Sequence, residues 1–496
     1  MTGRPNTEVR LVAATDVGEV LSGRLGLGYR VAMVAGHEDL DTFRIVYVLV
    51  RGLDDSRCEL VLSVPRIAPE IPSLAALDYG VGRFEREIRD LYGVVPIEHP
   101  LPHRLIRHGH WPRGWYPMRS DADAYPRFDR DVGSFPFLEV EGEGVYEIPV
   151  GPVHAGLIEP GHFRFSVVGE TILRMKARLW FVYRGVEKLL EGRLPADAIA
   201  LTERVSGDTA VGHSLAFAMA VEEAAEIEVA EQDRIVRALL LELERMHNHV
   251  ADLGALANDA GFGIVNSHAL RLRESLLRLN KATTGHRLLR GGISIGGARL
   301  SAAPDAAVIA SVAAEVANLV EITLGNSTVR DRFTGTASLG REVALHLATL
   351  GYVARASGVD VDARRDHPML DLGDDFEVVV ETGGDVMSRY LVRAREVAVS
   401  AKVLADLSNR LFGSTGTGTT ESTVSTGQGL GLAEGWRGTI AHRVELDGQG
   451  RLSRVKIVDP SFFNWPALPV ALADTIVPDF PLANKSFNQS YAGNDL

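Results

Sequence analysis

The cysteine content most limits what this chain can build, because a single thiol, Cys58, is present among 496 residues. No intramolecular disulfide can form, and no Cys-ligated zinc, iron-sulfur or nickel centre can be built from this chain alone. The fold must therefore rest on buried apolar surface, and 46% hydrophobic residues suffice for more than one core. We expect no metal site made from this chain's own side chains.

The net charge and the N-terminal sequence indicate which partners and which cellular location to expect. A formal net charge of -13 has the wrong sign for a protein that binds a nucleic-acid backbone. The start, MTGRPNTEVRL, lacks the basic and apolar segments of a secretory signal, so we expect a cytoplasmic location. The apolar window from Ala302 to Leu324 contains Asp305, Glu315 and Glu321, and we expect it to be too polar to span a bilayer.

The first part of the chain alternates as half-buried strands do. Phe43 to Val50 and Cys58 to Val64 flank a turn at Gly52 to Asp55, which predicts a hairpin. An amphipathic stretch from Ser73 to Tyr92 follows and ends at Gly93, which predicts a helix on one face of a sheet. Residues 1–125 are therefore expected to form a small α+β domain. A linker rich in Pro, His and Arg follows, to about residue 140.

Residues 141–496 have a different pattern, with short strands at Val145 to Val150 and Phe163 to Val168 and then helical periodicity. The clearest helix runs from Asp233 to Leu256, where apolar residues recur at three- and four-residue spacing. Further helices are predicted at Arg271 to Arg287, Pro304 to Leu324, Val386 to Leu411 and Trp465 to Thr475. The fold class is therefore α+β: a small N-terminal α+β domain followed by a mainly α-helical bundle with peripheral β-strands.

Several short motifs have structural explanations. Gly427 to Gly431 follows a polar Gly/Ser/Thr-rich loop, Ser414 to Thr426, and not the apolar strand that a dinucleotide site needs. His247 and His249 are two residues apart on one helix and therefore face different sides, which favours structural roles. Cys58 is expected to be a buried, inert thiol in a strand. No nucleotide or metal site is assigned.

The segment from Gly151 to Arg164 is a stronger candidate, because His154, Glu159 and His162 fall in a Gly/Pro-rich hairpin where polar groups can face a site. Together with later blocks, it resembles the large subunit of formate hydrogenlyase-type and hydrogenase-4-type nickel-iron hydrogenases and its complex I relative. The matching blocks are Tyr183 to Leu189, Glu203 to Thr209, Leu243 to His249, Arg355 to Gly358, Asp362 to Pro368, Asp385 to Glu396, Asn464 to Leu468 and Ser486 to Asp495.

The first part carries an independent resemblance. Glu85 to Gly93, His99-Pro100 and His103 to Leu105 are similar to the small peripheral-arm subunit of complex I, which in such hydrogenases is often fused ahead of the large subunit. The resemblance implies a hydrogenase large-subunit-like fold. It also implies a small iron-sulfur partner and membrane partners that hold the chain at the inner face of the cell membrane.

The chain departs from these relatives where they bind metal or quinone. Nickel and iron are held there by four thiolates, because soft sulfur donors suit these metals. The matching positions here are Ser206, Thr209, Ser490 and Gly493, and the chain ends soon afterwards, at Leu496, without the extension that usually accompanies nickel insertion. The quinone-binding tyrosine of complex I is also missing, since its position matches Gly207. We therefore expect a degenerate nickel site.

A polar lining survives in the matched cavity. The resemblance and the residue types give a candidate catalytic set of Glu159, His162, His154, Arg355 and Asp208. The candidate acceptor-binding set is Ser206, Gly207, Thr209, Asp362, Arg364 and Ser490, with quinone as a candidate acceptor. A histidine beside carboxylates can donate a proton near neutral pH, but such groups also form purely structural networks, and both interpretations stay open.

Two functional hypotheses follow from the resemblance. In the first, the chain is an oxidoreductase-complex subunit that contributes the former nickel or quinone cavity to electron transfer from the iron-sulfur partner, linked to ion translocation. In the second, it is a catalytically inactive subunit that couples a partner's changes to a membrane arm. An active hydrogenase ranks third. The three segments around Glu159, Ser206 and Ser490 are expected to converge, with Asn484 to Leu496 buried.

Overall fold

The N-terminal part is a sheet with two helices. The computed structural model describes residues 7–130, 135–156, 158–411 and 426–496 of the chain. The elements of this part are β1 (Thr7–Leu11), α1 (Val17–Gly26), β2 (Arg30–Glu38), β3 (Thr42–Arg51), β4 (Ser56–Pro65), β5 (Glu70–Pro72), α2 (Tyr79–Tyr92) and β6 (Val95–Ile97). Four strands form one sheet in the order β1-β4-β3-β2, in which only β1 and β4 are parallel.

The predicted hairpin and helix are both present. β3 and β4 pair antiparallel, with Val50 opposite Arg57, so the hairpin is confirmed. α2 packs on β2 but begins later than expected, because the Asp78 side chain accepts the Val81 N–H at 2.9 Å and so caps the helix. It ends as expected at Gly93, whose φ of 76° lies in the left-handed region.

The remainder of the chain combines a helical bundle with three further sheets. Its first elements are β7 (Val145–Val150), β8 (His162–Val168), β9 (Thr171–Arg178), α3 (Val186–Leu190), α4 (Pro195–Thr202), α5 (Ala210–Ala224), α6 (Glu231–Asp259), α7 (Gly263–Thr284), β10 (Ile293–Ser294), β11 (Gly297–Ala298), α8 (Ala306–Gly325), α9 (Ser327–Phe333), α10 (Arg341–His346), α11 (Gly351–Ala356) and α12 (Ala363–Asp366). They are followed by α13 (Val386–Arg410), β12 (Gly427–Gly435), β13 (Gly438–Leu446), β14 (Leu452–Val458), α14 (Ser461–Asn464), α15 (Ala467–Ala471), a 3-10 turn (Val477–Asp479), α16 (Phe480–Phe487) and α17 (Tyr491–Asp495).

The bundle is built around α6, which packs against α7 and α13. Four of the long helices predicted from periodicity are present as α6, α7, α8 and α13, with shifted ends. The helix predicted from Trp465 to Thr475 is wrong in extent, because only Ala467–Ala471 is helical. Asp474 has a φ of 64°, which a right-handed helix does not accommodate, and so the segment turns there.

Helix α8 corrects the expectation about membrane-spanning potential. Among the described helices it alone is long and apolar enough, by length and composition, to cross a membrane. Asp305 lies outside the helix and caps its first turn, so fewer charges fall in the apolar window than the sequence suggested. In this fold α8 packs on α7 and α13 through Ile309, Val312 and Val316, and 22% of the apolar window is buried.

The antiparallel sheet β12-β13-β14 is more central than the predicted peripheral strands. β12 lies directly on α5, and a Cβ on Gly427, Gly429 or Gly431 would collide with carbonyl oxygens of that helix. These alternating glycines therefore permit a strand to approach a helix backbone. Except for Thr426, the polar loop predicted before them lies outside the described residues.

Buried ion pairs connect the N-terminal sheet to this central sheet. Arg443 on β13 forms a two-pronged pair with Glu59 on β4, at 2.9 and 3.0 Å. Lys456 on β14 donates to Glu87 on α2, and Arg57 donates to Glu223 at 2.7 Å. Because most of these groups are almost fully buried, each charge depends on its partner across the contact.

Removing the Glu59 carboxylate should therefore lower the free energy of unfolding far more than removing the carboxylate of an exposed ion pair. We expect Glu59→Ala to lower the free energy of unfolding by about 3 kcal/mol, because Arg443 would stay buried with only part of its pairing. Glu8→Gln is the matched control: Glu8 is 49% exposed in its pair with Arg24, and the cost should be below about 1 kcal/mol. Thermal unfolding midpoints measure the difference, and equal midpoints for the two variants would contradict the interpretation.

Cys58 lies in β4 and is fully buried, as predicted. No other thiol exists for it to pair with, and burial raises the pKa of its thiol, so it stays protonated and inert. We expect Cys58→Ala to leave assembly and electron transfer of the purified complex intact. Loss of turnover in a folded variant would show that the thiol has a function.

Candidate functional site

The C-terminal segment is buried in the middle of the molecule. Every residue from Tyr491 to Leu496 is buried. The Leu496 carbonyl accepts the Arg184 N–H at 2.8 Å, and Asp495 accepts the Val182 N–H at 3.1 Å. These bonds hold α17 against the segment after β9. The expected burial of Asn484 to Leu496 is confirmed except at Asn484, Lys485 and Asn488, which are half-buried.

Two hydroxyl groups join remote segments at the start of α17. The Oγ atoms of Ser206 and Ser490 are 2.8 Å apart, within hydrogen-bond distance. Ser490 also accepts the Gly493 N–H at 2.8 Å, which caps α17, and Ser206 donates to Asp208 Oδ1 at 3.0 Å. Ser206 and Ser490, both predicted as acceptor-binding residues, are therefore in direct contact.

Asp208 is fixed by a two-pronged ion pair with Arg437. The Nη1–Oδ1 and Nη2–Oδ2 distances are 2.6 and 2.8 Å, and Thr209 donates to Oδ1 at 3.0 Å. Burial disfavours the charged carboxylate, but Arg437 outweighs it and holds the pKa of Asp208 well below its usual range. Asp208 is therefore a permanent anion at neutral pH, and a poor proton donor.

The predicted hairpin reaches the same place. Glu159 Oε2 accepts the Ala492 N–H at 2.9 Å, so the hairpin contacts the C-terminal motif directly. His154 Nε2 lies 2.7 Å from the Gly161 carbonyl, and His162 Nδ1 lies 3.1 Å from the Gly151 carbonyl. The structure thus brings the three predicted segments together. The side chains of His154 and His162 stabilise the hairpin through its own backbone carbonyls, whereas Glu159 contacts the C-terminal segment at Ala492.

Gly493, the last of the four positions that the resemblance matches to thiolates, faces a chain of three buried polar side chains that the sequence analysis missed. A Cβ on Gly493 would lie 2.6 Å from the Asp459 carboxylate. Asp459 Oδ2 lies 3.0 Å from His213 Nε2, and His213 Nδ1 lies 3.0 Å from His442 Nε2. All three side chains are at most 1% exposed. Burial lowers the pKa of His442 well below its usual value, so this imidazole is neutral.

The donors at the four matched positions do not fit a nickel-iron centre. Ser206, Thr209 and Ser490 offer hydroxyls, which are hard, protonated donors at neutral pH, and Gly493 offers no side chain. Ser206 and Ser490 are already bonded to each other, and Asp459 fills the space beside Gly493. The arrangement is a closed hydrogen-bonded cluster.

Arg355, Asp362 and Arg364, although predicted for the same lining, lie in a separate buried network. Arg355 pairs with Glu396 at 2.7 Å and with Glu434 at 2.8 Å, and Asp362 pairs with Arg364 at 2.6 Å. The network approaches the site only indirectly: the His249 ring packs against Trp436, whose indole N–H donates to the Asp208 carbonyl at 3.1 Å. The structure therefore does not bring these three residues into contact with the hydroxyl pair.

Glu244, which the sequence analysis also missed, is a buried carboxyl group beside the site. It is 1% exposed, and its carboxyl group accepts the N–H groups of Val211 and Gly212 at 2.7 and 3.0 Å. Burial, with a smaller contribution from Asp208, raises the pKa of Glu244 to about 8. Glu244 and Asp208 are joined through Asn248, whose amide donates to both backbone carbonyls. Neighbouring carboxyl groups with pKa values pushed apart can divide acid and anion roles.

The space around Gly493 supplies a direct test of this packing. We expect Gly493→Ala to lower the free energy of unfolding by about 1–3 kcal/mol, because the new methyl group would press on Asp459 and its bond to His213. Gly207→Ala is the matched control, since a Cβ there meets no atom within 4 Å. Chemical denaturation of both variants measures the difference. A neutral Gly493→Ala variant would show that Asp459 can move aside.

Three family models match the chain in order. Residues 9–127 match the 30 Kd subunit of respiratory-chain NADH dehydrogenase, residues 184–257 match nickel-dependent hydrogenase, and residues 259–421 match the 49 Kd subunit of the NADH dehydrogenase. The structure is similar to one described as the membrane-bound sulfane sulfur reductase, an archaeal respiratory membrane complex. The TM-score is 0.66 at 24% identity, covering 71% of this chain and 99% of that chain. This likeness shows a shared fold.

Curated relatives extend over most of the chain. Formate hydrogenlyase subunit 5 of Escherichia coli (strain K12) is 32% identical over 463 residues, which are 91% of this chain and 81% of the relative. The fused C/D component of NADH-quinone oxidoreductase from Phocaeicola vulgatus is 31% identical over 366 residues, which are 69% of this chain and 70% of the relative. The chain therefore belongs to the family of fused 30 Kd and 49 Kd complex I-type subunits that includes the large subunit of formate hydrogenlyase.

Proposed function

We propose that this chain is a peripheral subunit of a membrane-bound respiratory oxidoreductase, at the inner face of the cell membrane, and that it works without nickel. Its relatives are named as components of such assemblies, among them formate hydrogenlyase and NADH-quinone oxidoreductase. The observation that carries the proposal is the convergence of Glu159, Ser206 and Ser490 into one polar cluster where the family's thiolates would stand. An acceptor such as a quinone would be reduced at the outer face of this cluster.

Groups that could supply protons to a reduced acceptor lie close to the cluster and support this function. Gly207 is exposed, and Glu159 and Asp208 are half-buried, so the hairpin side of the cluster is open to a partner or an acceptor. Glu244, with its pKa raised to about 8, can hold a proton at neutral pH behind that face. The anion of Asp208 is a further group that stabilises a proton held beside it.

A basic pocket beside the cluster is our candidate for the contact with the iron-sulfur partner. It holds about 550 Å³ and is lined by Arg273, Lys281, His286, Arg287 and Arg290. The Gly291 N–H donates to Glu203 at 2.5 Å, so the pocket adjoins the turn that contains Ser206. Arg287 is already paired with Glu274, at 3.0 and 2.5 Å. The other cations favour an acidic partner surface and stabilise added negative charge on a reduced iron-sulfur cluster of the partner.

A second candidate function is favoured by one specific observation. Because the Ser206 and Ser490 hydroxyls are 2.8 Å apart, no acceptor fits between them in this conformation. A subunit that stays closed would couple changes in its partners to a membrane arm without handling an acceptor. Quinone-dependent oxidation by the purified complex separates the two: turnover supports the first function, and its absence in an intact complex supports the second.

Glu159 gives the sharpest test within the chain. We expect Glu159→Gln to lower acceptor-linked turnover about 100-fold, because the amide oxygen can still accept the Ala492 N–H while the charge and the proton site are lost. Glu170→Gln, an exposed carboxylate on the following turn, is the matched control and should keep full turnover. We also expect His162→Ala to lower turnover, by loosening the hairpin. Full turnover in both site variants would refute the acceptor function.

Nickel content provides an independent check. We expect the purified complex to contain no stoichiometric nickel and neither to evolve nor to consume hydrogen, because hydroxyls and glycine replace the thiolates. Elemental analysis of the intact complex measures this directly. A value near one nickel per chain would overturn the proposal, whatever the quinone assay shows.

A further inference from the structure

A surface groove of about 510 Å³ lies on the face of the molecule where α2, β9 and the segment around α15 meet. Among the described residues, its lining contains four arginines and no carboxylate: Arg83, Arg86, Arg174 and Arg178. Aromatic and aliphatic side chains form the remaining walls, among them Phe135, Trp180, Trp465 and Val470. The groove is therefore positively charged and partly apolar, on a chain whose net charge is -13.

Arg83 is buried and forms no ion pair with any described residue. It is 7% exposed, and its Nε has no hydrogen-bond partner in the part of the chain that the structure describes. Its Nη2 reaches only Asn494 Oδ1, at 3.5 Å, while its guanidinium lies 4.4 Å from the Phe462 ring centre. Burial lowers the pKa of Arg83 to about 10. An anion bound beside this guanidinium would stabilise it, and none of the described residues forms an ion pair with it.

Arg178 is likewise buried without an ion pair among the described residues, although backbone carbonyls accept from its guanidinium. It is 5% exposed and donates to the backbone carbonyls of Leu105, Ile106 and Arg107. No carboxylate of the described residues lies within 4 Å of it, and burial lowers its pKa to about 10. Arg174, at the rim, is exposed and also has no ion pair among the described residues.

The strand that lines the groove has a free edge. β9 is the outer strand of the sheet β7-β8-β9. On its outer side the described backbone pairs near its start, at the Thr171–Ile476 bridge and at the Ile172 N–H, which donates to Thr475. From Leu173 to Arg178 no described backbone group pairs on that side. Such an edge is a template for an added strand.

We propose that the groove binds an extended acidic segment of a partner subunit, which adds to the free edge of β9 and places carboxylates on Arg83 and Arg174. The unpaired guanidinium groups supply the charge complementarity, and the strand edge supplies main-chain hydrogen bonds. An anionic lipid would satisfy the arginines but would leave the strand edge unpaired, so the segment fits more of the surface. This interaction is independent of the acceptor chemistry proposed above.

The test uses the full-length chain and a fluorescein-labelled, end-capped peptide of alternating glutamate and valine. We expect saturable binding by fluorescence anisotropy at low salt, weakened by added salt. The same peptide with glutamine in place of glutamate should bind at least about tenfold more weakly. Arg174→Gln should weaken binding of the acidic peptide about tenfold. Arg10→Gln, an exposed arginine on β1, is the matched control and should change nothing.

Strand pairing has its own readout. Hydrogen exchange should slow at amides between Leu173 and Arg178 when the acidic peptide binds, and an N-methylated peptide should lose both binding and protection. Arg83→Gln should also weaken binding, and the exposed Arg174→Gln keeps the test valid if the buried variant does not fold. Equal binding of the glutamine peptide, or no effect of Arg174→Gln, would overturn the proposal. Displacement of bound peptide by dihexanoyl phosphatidate, without amide protection by the peptide, would assign the groove to an anionic lipid.

Discussion

The packing of this structure depends on hydrogen-bond acceptors for its buried arginine side chains. Six of the twelve largest fully buried side chains are arginines: Arg237, Arg245, Arg355, Arg389, Arg393 and Arg443. A guanidinium does not lose its proton in a protein, so each must be matched by carboxylates or carbonyls. Most are matched across long sequence distances, as Arg443 is by Glu59 and Arg355 by Glu396 and Glu434. Arg389 is matched without a carboxylate, by two carbonyls and Ser486. These pairs fix how the sheets and the bundle fit together.

The candidate site is organised by the same rule. Arg437, in the turn between β12 and β13, holds Asp208, and Asp208 in turn accepts from Ser206 and Thr209. The 206–209 turn is therefore anchored by charge. The C-terminal motif reaches this turn through Ser490. The cluster is therefore built from hydroxyls and one fixed anion, with Glu244, whose pKa is raised to about 8, buried behind it.

Hydrophobic periodicity correctly predicted the helices and strands that are specified by neighbouring residues in the sequence. The hairpin β3-β4 and the helices α6 and α13 follow from alternation and from three- and four-residue spacing. The central position of the sheet β12-β13-β14 was not predicted. Its first strand begins with alternating glycines, and the reason for them, close packing on α5, appears only in the structure. The resemblance located Glu159, Ser206 and Ser490. Asp459, His213 and Arg437 were missed, because pairing between residues more than two hundred positions apart leaves no local signal.

Whether the cluster can admit an acceptor depends on which of its bonds must break. The Ser206–Ser490 hydrogen bond is between neutral groups and contributes about 1 kcal/mol, which the binding energy of even a weak ligand exceeds. The Asp208–Arg437 pair is buried on the arginine side and two-pronged, so separating it would leave a guanidinium uncompensated and cost several times more. An acceptor that enters would therefore part the two hydroxyls and leave the ion pair in place. Opening the site would then require α17 and the 206–209 turn to move apart. Glu159 accepts the Ala492 N–H on α17, so its carboxylate would lie next to an acceptor that entered and could supply it with a proton.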